Sequence, residues 1–130
     1  MTTEPTVLIY DDIAWDHMRG GEASVKAAPK GLVEKARKLG ARRKKLAQGE
    51  AGFFMNHSVM PAGFRVPPHS HTHDEMIVVL KGSCIFDDGL AELGSQDSIV
   101  IGAKYRYGFT CGPDGAEFLT FRTSEAGVSM

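Results

Sequence analysis

The sequence predicts an all-β protein, a single small barrel preceded by an N-terminal extension that holds one short α-helix. Three observations predict it. From Gly52 onward, runs of β-forming residues are separated by turn signals about every eight to twelve residues, the rhythm of a sandwich or barrel. Only Pro29 to Leu39 reads as a convincing helix. The run EMIVVL, Glu75 to Leu80, is apolar on both faces, so it belongs in a sheet that is covered on both sides.

Taken in order, Thr6 to Tyr10 reads as a short strand of β-formers stopped by Asp11-Asp12. Trp15 is expected to plug an end of the core. Within 29–39, Leu32, Val33, Ala36 and Leu39 share a helical face, and Gly40 is a natural stop. RRKKLAQ follows as an outer strand. The basic residues from Lys30 to Lys45 are read as a solvated helix face followed by that outer strand rather than a nucleic-acid patch, because no aromatics are interleaved among them. FFMNHSVM is the next strand and Pro61-Ala62-Gly63 its turn. FRVPPHSH is kept extended by Pro67-Pro68, and EMIVVL, SCIF, LAEL, SIVI, YGFT and EFLTFR complete the set, with Asp87-Asp88-Gly89 as a further turn. The extension is assigned to 1–51 and the barrel core to 52–130.

At 130 residues the chain has the length of one domain, enough to bury roughly two-thirds of its unfolded surface. Its 42% apolar and 24% charged residues are ordinary for a globular protein, and a net charge of -1 argues against a polyanionic partner, nucleic acid included. No stretch reads as a membrane span, and the N-terminus has no basic region ahead of its apolar run, so a cytoplasmic location is expected. Two cysteines, Cys84 and Cys111, are too few for a disulfide framework and are expected as buried thiols.

The chemistry is concentrated between Gly63 and Gly82. His69 and His71 fall on one face of an extended chain, and Glu75 follows a turn at Thr72 to Asp74. Two imidazoles and a carboxylate are a ligand set for a divalent transition metal, iron, manganese, nickel or zinc, with coordination positions left open. The spacing Gly63-x5-His69-x-His71-x3-Glu75-x6-Gly82 resembles the first motif of the cupin superfamily. The resemblance implies a small jelly-roll β-barrel, a metal held by His69, His71 and Glu75, and a homodimer. His73, in that frame, lies in the turn as an outer or solvent-facing residue, with ligation as its lesser alternative.

The second cupin motif is altered. In GSQDSIVIGAKYRYGFTCG, Gly94 is in place, but Tyr107 stands where the family has its last histidine and Cys111 where it has asparagine. Three answers compete for the fourth ligand: Tyr107 as ligand or proton donor, His57 from a neighbouring strand, or a bare two-histidine, one-glutamate set. Tyr107 and His57 are the candidate catalytic residues. Phe53, Met55 and Phe109 are candidate pocket walls, and Arg106 is a candidate grip for a substrate carboxylate. The expected function is a metal-dependent enzyme on a small organic molecule, of dioxygenase, isomerase or lyase type. The alternative is a non-catalytic binding cupin.

Overall fold

The computed structural model describes residues 4–16, 40–124 and 128–129. Eight strands form one antiparallel sheet system: β1 (Arg42–Gln48), β2 (Phe54–Met60), β3 (Arg65–His71), β4 (Glu75–Phe86), β5 (Ala91–Leu93), β6 (Ser98–Ile101), β7 (Tyr107–Arg122) and β8 (Val128–Ser129). β1, β2, β7, β3 and β8 are successive neighbours, while β4 pairs with β5, β6 and β7. The helix expected over 29–39 lies outside the described residues.

Two expected pairs of strands are each one long strand. EMIVVL and SCIF are both β4, and YGFT and EFLTFR are both β7. A glycine pivot replaces a turn in each. Gly82 (φ +73°) and Gly115 (φ +77°) cross where the two strands bend, and a Cβ on Gly82 would lie 2.1 Å from the Gly115 carbonyl oxygen. The ladder therefore continues through the bend with shifted register, and β4 and β7 run through both halves of the barrel.

The core follows the alternation of β4. Ile77 and Val79 point inward at 2% and 0% exposure, and Cys84 and Phe86 continue inward beyond the bend. Phe86, Tyr107, Phe109 and Phe118 form a chain of ring contacts through the interior. Cys84 and Cys111 oppose each other across β4 and β7 as buried free thiols. At one end Arg65 grips Asp87 with both guanidinium nitrogens at 2.5 Å, closing β3 onto the turn after β4.

The N-terminal segment differs from expectation. Thr6 to Tyr10 is not a strand; Tyr10–Asp12 makes one 3-10 turn. The open edge of β1 is taken instead by Asp16, which exchanges backbone hydrogen bonds with Arg43. Trp15 does not plug the core. It lies with Tyr10 on the outer face of β1 and β2, against His57. Nor is the basic run of β1 a solvated face. Arg42 stacks on Trp15 at 4.2 Å and Lys44 on Tyr10 at 3.7 Å, while Arg43 turns inward and is buried. Among the described residues no helix is long and apolar enough to cross a membrane.

Candidate metal centre

The site is built where β3 ends, β4 begins and β7 begins. Pro67 and Pro68 fix β3 as extended, so His69 and His71 emerge on one face, and His69 pairs with Tyr107 in the β3–β7 ladder. The turn between β3 and β4 is tied to the loop before β7. Asp74 accepts from the Ala103 amide at 2.8 Å, and the Lys104 amide donates to the His71 carbonyl at 2.7 Å. This holds His73 inward. Its side chain is buried, as is that of Glu75, the first residue of β4.

Four polar side chains converge there. His73 Nε2 is 3.3 Å from Glu75 Oε2, and His71 Nε2 is 3.9 Å from the same oxygen. The Tyr107 hydroxyl donates to Glu75 Oε1 at 3.0 Å, and its oxygen lies 3.1 Å from His71 Nε2. His71, His73 and Glu75 each offer a donor atom within 4.8 Å of the others. His69 stands beside them, its ring edge-on to that of His71 at 4.9 Å, with Nδ1 held by the Pro67 carbonyl at 2.8 Å.

Burial pushes the Glu75 carboxyl up, but the hydrogen bond from His73, the charge of His71 and the Tyr107 hydroxyl together outweigh it and hold it below the usual range. Glu75 is thus kept as a carboxylate. For Tyr107 burial and the neighbouring Glu75 charge act in the same direction and push the phenol well up, so it keeps its proton.

These side chains line one wall of a cavity of about 170 Å³. Ile77, Val66, Met60, Phe109 and Phe118 supply its apolar surface, and Arg43, Asn56, Ser58, Thr120 and Arg122 form the wall made by β1, β2 and the end of β7.

No protein-family model matches the sequence, and comparison with curated proteins finds no match. Comparison with solved structures does. The polyketide cyclase RemF from Streptomyces resistomycificus superimposes with a TM-score of 0.69 at 21% identity, over 97% of this chain and 84% of its own. KdgF from Halomonas sp. gives 0.66 at 17% identity over 94% and 96%. A sugar phosphate isomerase of the cupin superfamily from Silicibacter pomeroyi gives 0.65 at 22% identity over 91% and 75%. The chain has the cupin fold.

Within this cupin barrel the expected site residues separate into two groups. His69, His71, Glu75, Tyr107 and Phe109 all face the cavity. His57, Phe53, Met55 and Arg106 are not among its lining residues. His57 lies on the outer face of β2, where the Tyr10 hydroxyl meets its Nδ1 at 2.7 Å and Glu117 its Nε2 at 3.1 Å. Met55 shares that outward parity, Phe53 is 58% exposed ahead of β2, and Arg106 is exposed in the loop before β7. The reason is common to the residues of β2. Apolar side chains were expected to point inward, but the inward residues of β2 are Asn56, Ser58 and Met60, because a polar cavity lies beneath them.

His73 is the main residue that sequence reasoning set aside. Its signal was present: positions 69, 71, 73 and 75 keep one alternation straight through the turn. Arg43 and Arg122 were likewise missed. Each lies on a strand whose inward parity a buried apolar residue fixes, Ala41 for β1 and Phe118 for β7.

Proposed function

We propose that this cupin is a metal-dependent enzyme acting on a small organic molecule, of dioxygenase, isomerase or lyase type. In this reading one divalent transition metal is held by His71, His73 and Glu75 together with His69. The observation that supports it is the convergence of His71, His73 and Glu75 within 4.8 Å on the wall of a cavity. Ligand distances of about 2.0–2.2 Å place two donors of one ion no more than about 4.4 Å apart, so the cluster needs to close by only a few tenths of an ångström. The donor set fits in its chemistry as well. His73 Nδ1 is buried without a hydrogen-bond partner, leaving that imidazole a spare lone pair, and a majority of imidazole donors favours iron, manganese, nickel or zinc over magnesium.

A divalent ion bound there supplies Lewis-acid polarisation of a substrate oxygen or a seat for dioxygen. The chain's own residues do the rest. Tyr107 holds its proton at Oη and orients the Glu75 carboxylate; Phe109, Phe118 and Ile77 exclude water from the far side of the cavity. In this reading His73 supplies a further imidazole where a tyrosine that hydrogen-bonds to Glu75 stands in place of the family's last histidine.

The test is metal content of untagged protein, wild type against His71→Ala. About one equivalent of a transition metal, lost in the variant, supports the reading. No metal in either, after iron, manganese, nickel and zinc have been offered, overturns it. The second reading, a non-catalytic binding cupin, is favoured by one observation: Tyr107, Glu75, His71 and His73 satisfy one another through mutual hydrogen bonds. It predicts stoichiometric ligand binding by metal-free protein.

We extend the same proposal to assembly and location. Met76, Leu80 and Val100 leave an apolar row in solvent on the outer sheet face, Val100 at 70% exposure, which supports a homodimer to be checked by light scattering. The opposed thiols of Cys84 and Cys111 support a reducing compartment, the cytoplasm.

A further inference from the structure

The part of the cavity wall built by β2 and the end of β7 carries neutral polar groups. Asn56 pairs with Thr120 across β2 and β7, and Thr120 pairs in turn with Ile77 across β7 and β4, so the three form one row on the inner face of the sheet. Glu75 precedes Ile77 by two residues on that face. This makes it a diagonal neighbour of Thr120 at about 7–8 Å, with Asn56 one strand spacing of about 4.8 Å further on. Ser58 stands two residues from Asn56 on the same face and is buried at 7% exposure. The donor cluster and this neutral shelf are therefore contiguous, within reach of one small molecule.

These groups keep their hydrogen-bonding capacity for the cavity. Among the described residues no side-chain hydrogen bond engages Asn56, Ser58 or Thr120. A polar group on a buried wall costs free energy unless something bonds to it, so the shelf is matched to an occupant that brings oxygens of its own. The arginines of the wall are committed elsewhere. Arg43 holds Asp16 at 3.3 Å, Arg122 lies over the Phe54 ring at 4.9 Å, and each makes a further contact. The groups with bonds to give are thus a carboxamide and two hydroxyls, uncharged and able both to donate and to accept. Hydroxyl and carbonyl groups complement such a shelf, because each of its members can serve either partner role.

We propose that the cavity takes a short, uncharged, polyoxygenated molecule, a polyol or hydroxycarbonyl compound, with Asn56, Ser58 and Thr120 reading the oxygens away from the histidine cluster. The proposal deepens the reading of this cavity as a substrate site and rests on it. Size limits the ligand further. A cavity of about 150 Å³ admits benzene, so about 170 Å³ accommodates a molecule of roughly six to eight non-hydrogen atoms, a chain of three or four carbons with its oxygens. Apolar contacts from Met60, Val66 and Phe118 suit the carbon chain.

The test titrates erythritol, glycerol and butane-1,2-diol by NMR into metal-free and metal-loaded protein, with glycerate as the charged comparison. Erythritol and butane-1,2-diol share a carbon chain and differ in hydroxyls. Affinity is expected to fall roughly two- to tenfold for each hydroxyl removed, the modest net value of a neutral hydrogen bond. This order should hold in the metal-free protein, so it stands or falls separately from metal binding. Asn56→Leu, Ser58→Ala and Thr120→Val should each narrow the difference between erythritol and butane-1,2-diol with metal content unchanged. Because none of them removes a side-chain hydrogen bond among the described residues, they should also hold or raise the Tm. Equal binding of erythritol and butane-1,2-diol by metal-free protein overturns the proposal. So does a difference that survives the triple variant, tighter binding of glycerate than of glycerol by metal-free protein, no binding of any polyol at high millimolar concentration, or a lowered Tm in all three variants.

Discussion

Replacing His73 with alanine separates a metal ligand from a bystander. His73 lies in the turn between β3 and β4, yet its side chain is 2% exposed and its Nε2 stands 3.3 Å from Glu75 Oε2. If it only oriented Glu75, its loss would lower metal affinity by roughly ten- to a hundredfold, the usual effect of an outer partner. As one donor of the set its removal should lower affinity by more than about a hundredfold, or at least about 2.8 kcal/mol at 1.4 kcal/mol per decade. The assay is competition with a chromogenic chelator for zinc and for manganese. Circular dichroism confirms the fold, and Thr72→Ala in the same turn serves as the exposed control. His73→Asn, which keeps a polar side chain of similar reach, should behave like the alanine variant. A loss of no more than about a hundredfold in both variants would refute the assignment of His73 as a donor.

Other expectations follow from the same geometry. His57→Ala should leave metal affinity unchanged and lower stability by about 1–2 kcal/mol, measured in urea, because Tyr10 and Glu117 each lose a hydrogen-bond partner on the outer face. Gly82→Ala should cost at least about 3 kcal/mol or abolish soluble expression, since the new Cβ meets backbone at a left-handed φ. Gly40→Ala, also at positive φ but in open space, should cost about 1 kcal/mol. For Asp16, burial works to raise the carboxyl, but Arg43 and Lys45 outweigh it and hold it below its ordinary value. Its contribution is therefore present above about pH 4 and lost as pH falls through the folded value. The stability difference between wild type and Asp16→Asn, measured by urea unfolding at a series of pH values, should accordingly close in acid.

Much of the barrel was legible because its strands obey a simple alternation. Ile77 and Val79 on the Glu75 face, and the turn at Asp87-Asp88-Gly89, lie where the pattern places them. The histidine motif also reads directly, since proline-fixed extension and a period of two put His69 and His71 on one side. Legibility failed where burial and polarity part company. β2 presents Asn56 and Ser58 to the interior and Met55 and His57 to the outside, so a rule that sends apolar side chains inward selects the wrong face. The basic run failed for a related reason. A four-residue string of like charges looks solvated, but β1 divides it, giving Arg42 and Lys44 to aromatic rings and Arg43 and Lys45 to Asp16. EMIVVL and SCIF, and YGFT and EFLTFR, read as separate strands because nothing local reveals that Gly82 and Gly115, distant in sequence, meet at a crossing.

The contact between Asp16 and Arg43 places one determinant of the cavity outside the barrel that encloses it. A protein trimmed to begin at Gly40 would keep His69, His71, His73 and Glu75 in sequence, but its pocket would carry a different charge. A shortened version is therefore not a neutral stand-in for the whole chain in ligand screens. A change at position 16 therefore shifts the field at the cavity wall that Arg43 lines, from a residue outside the eight strands.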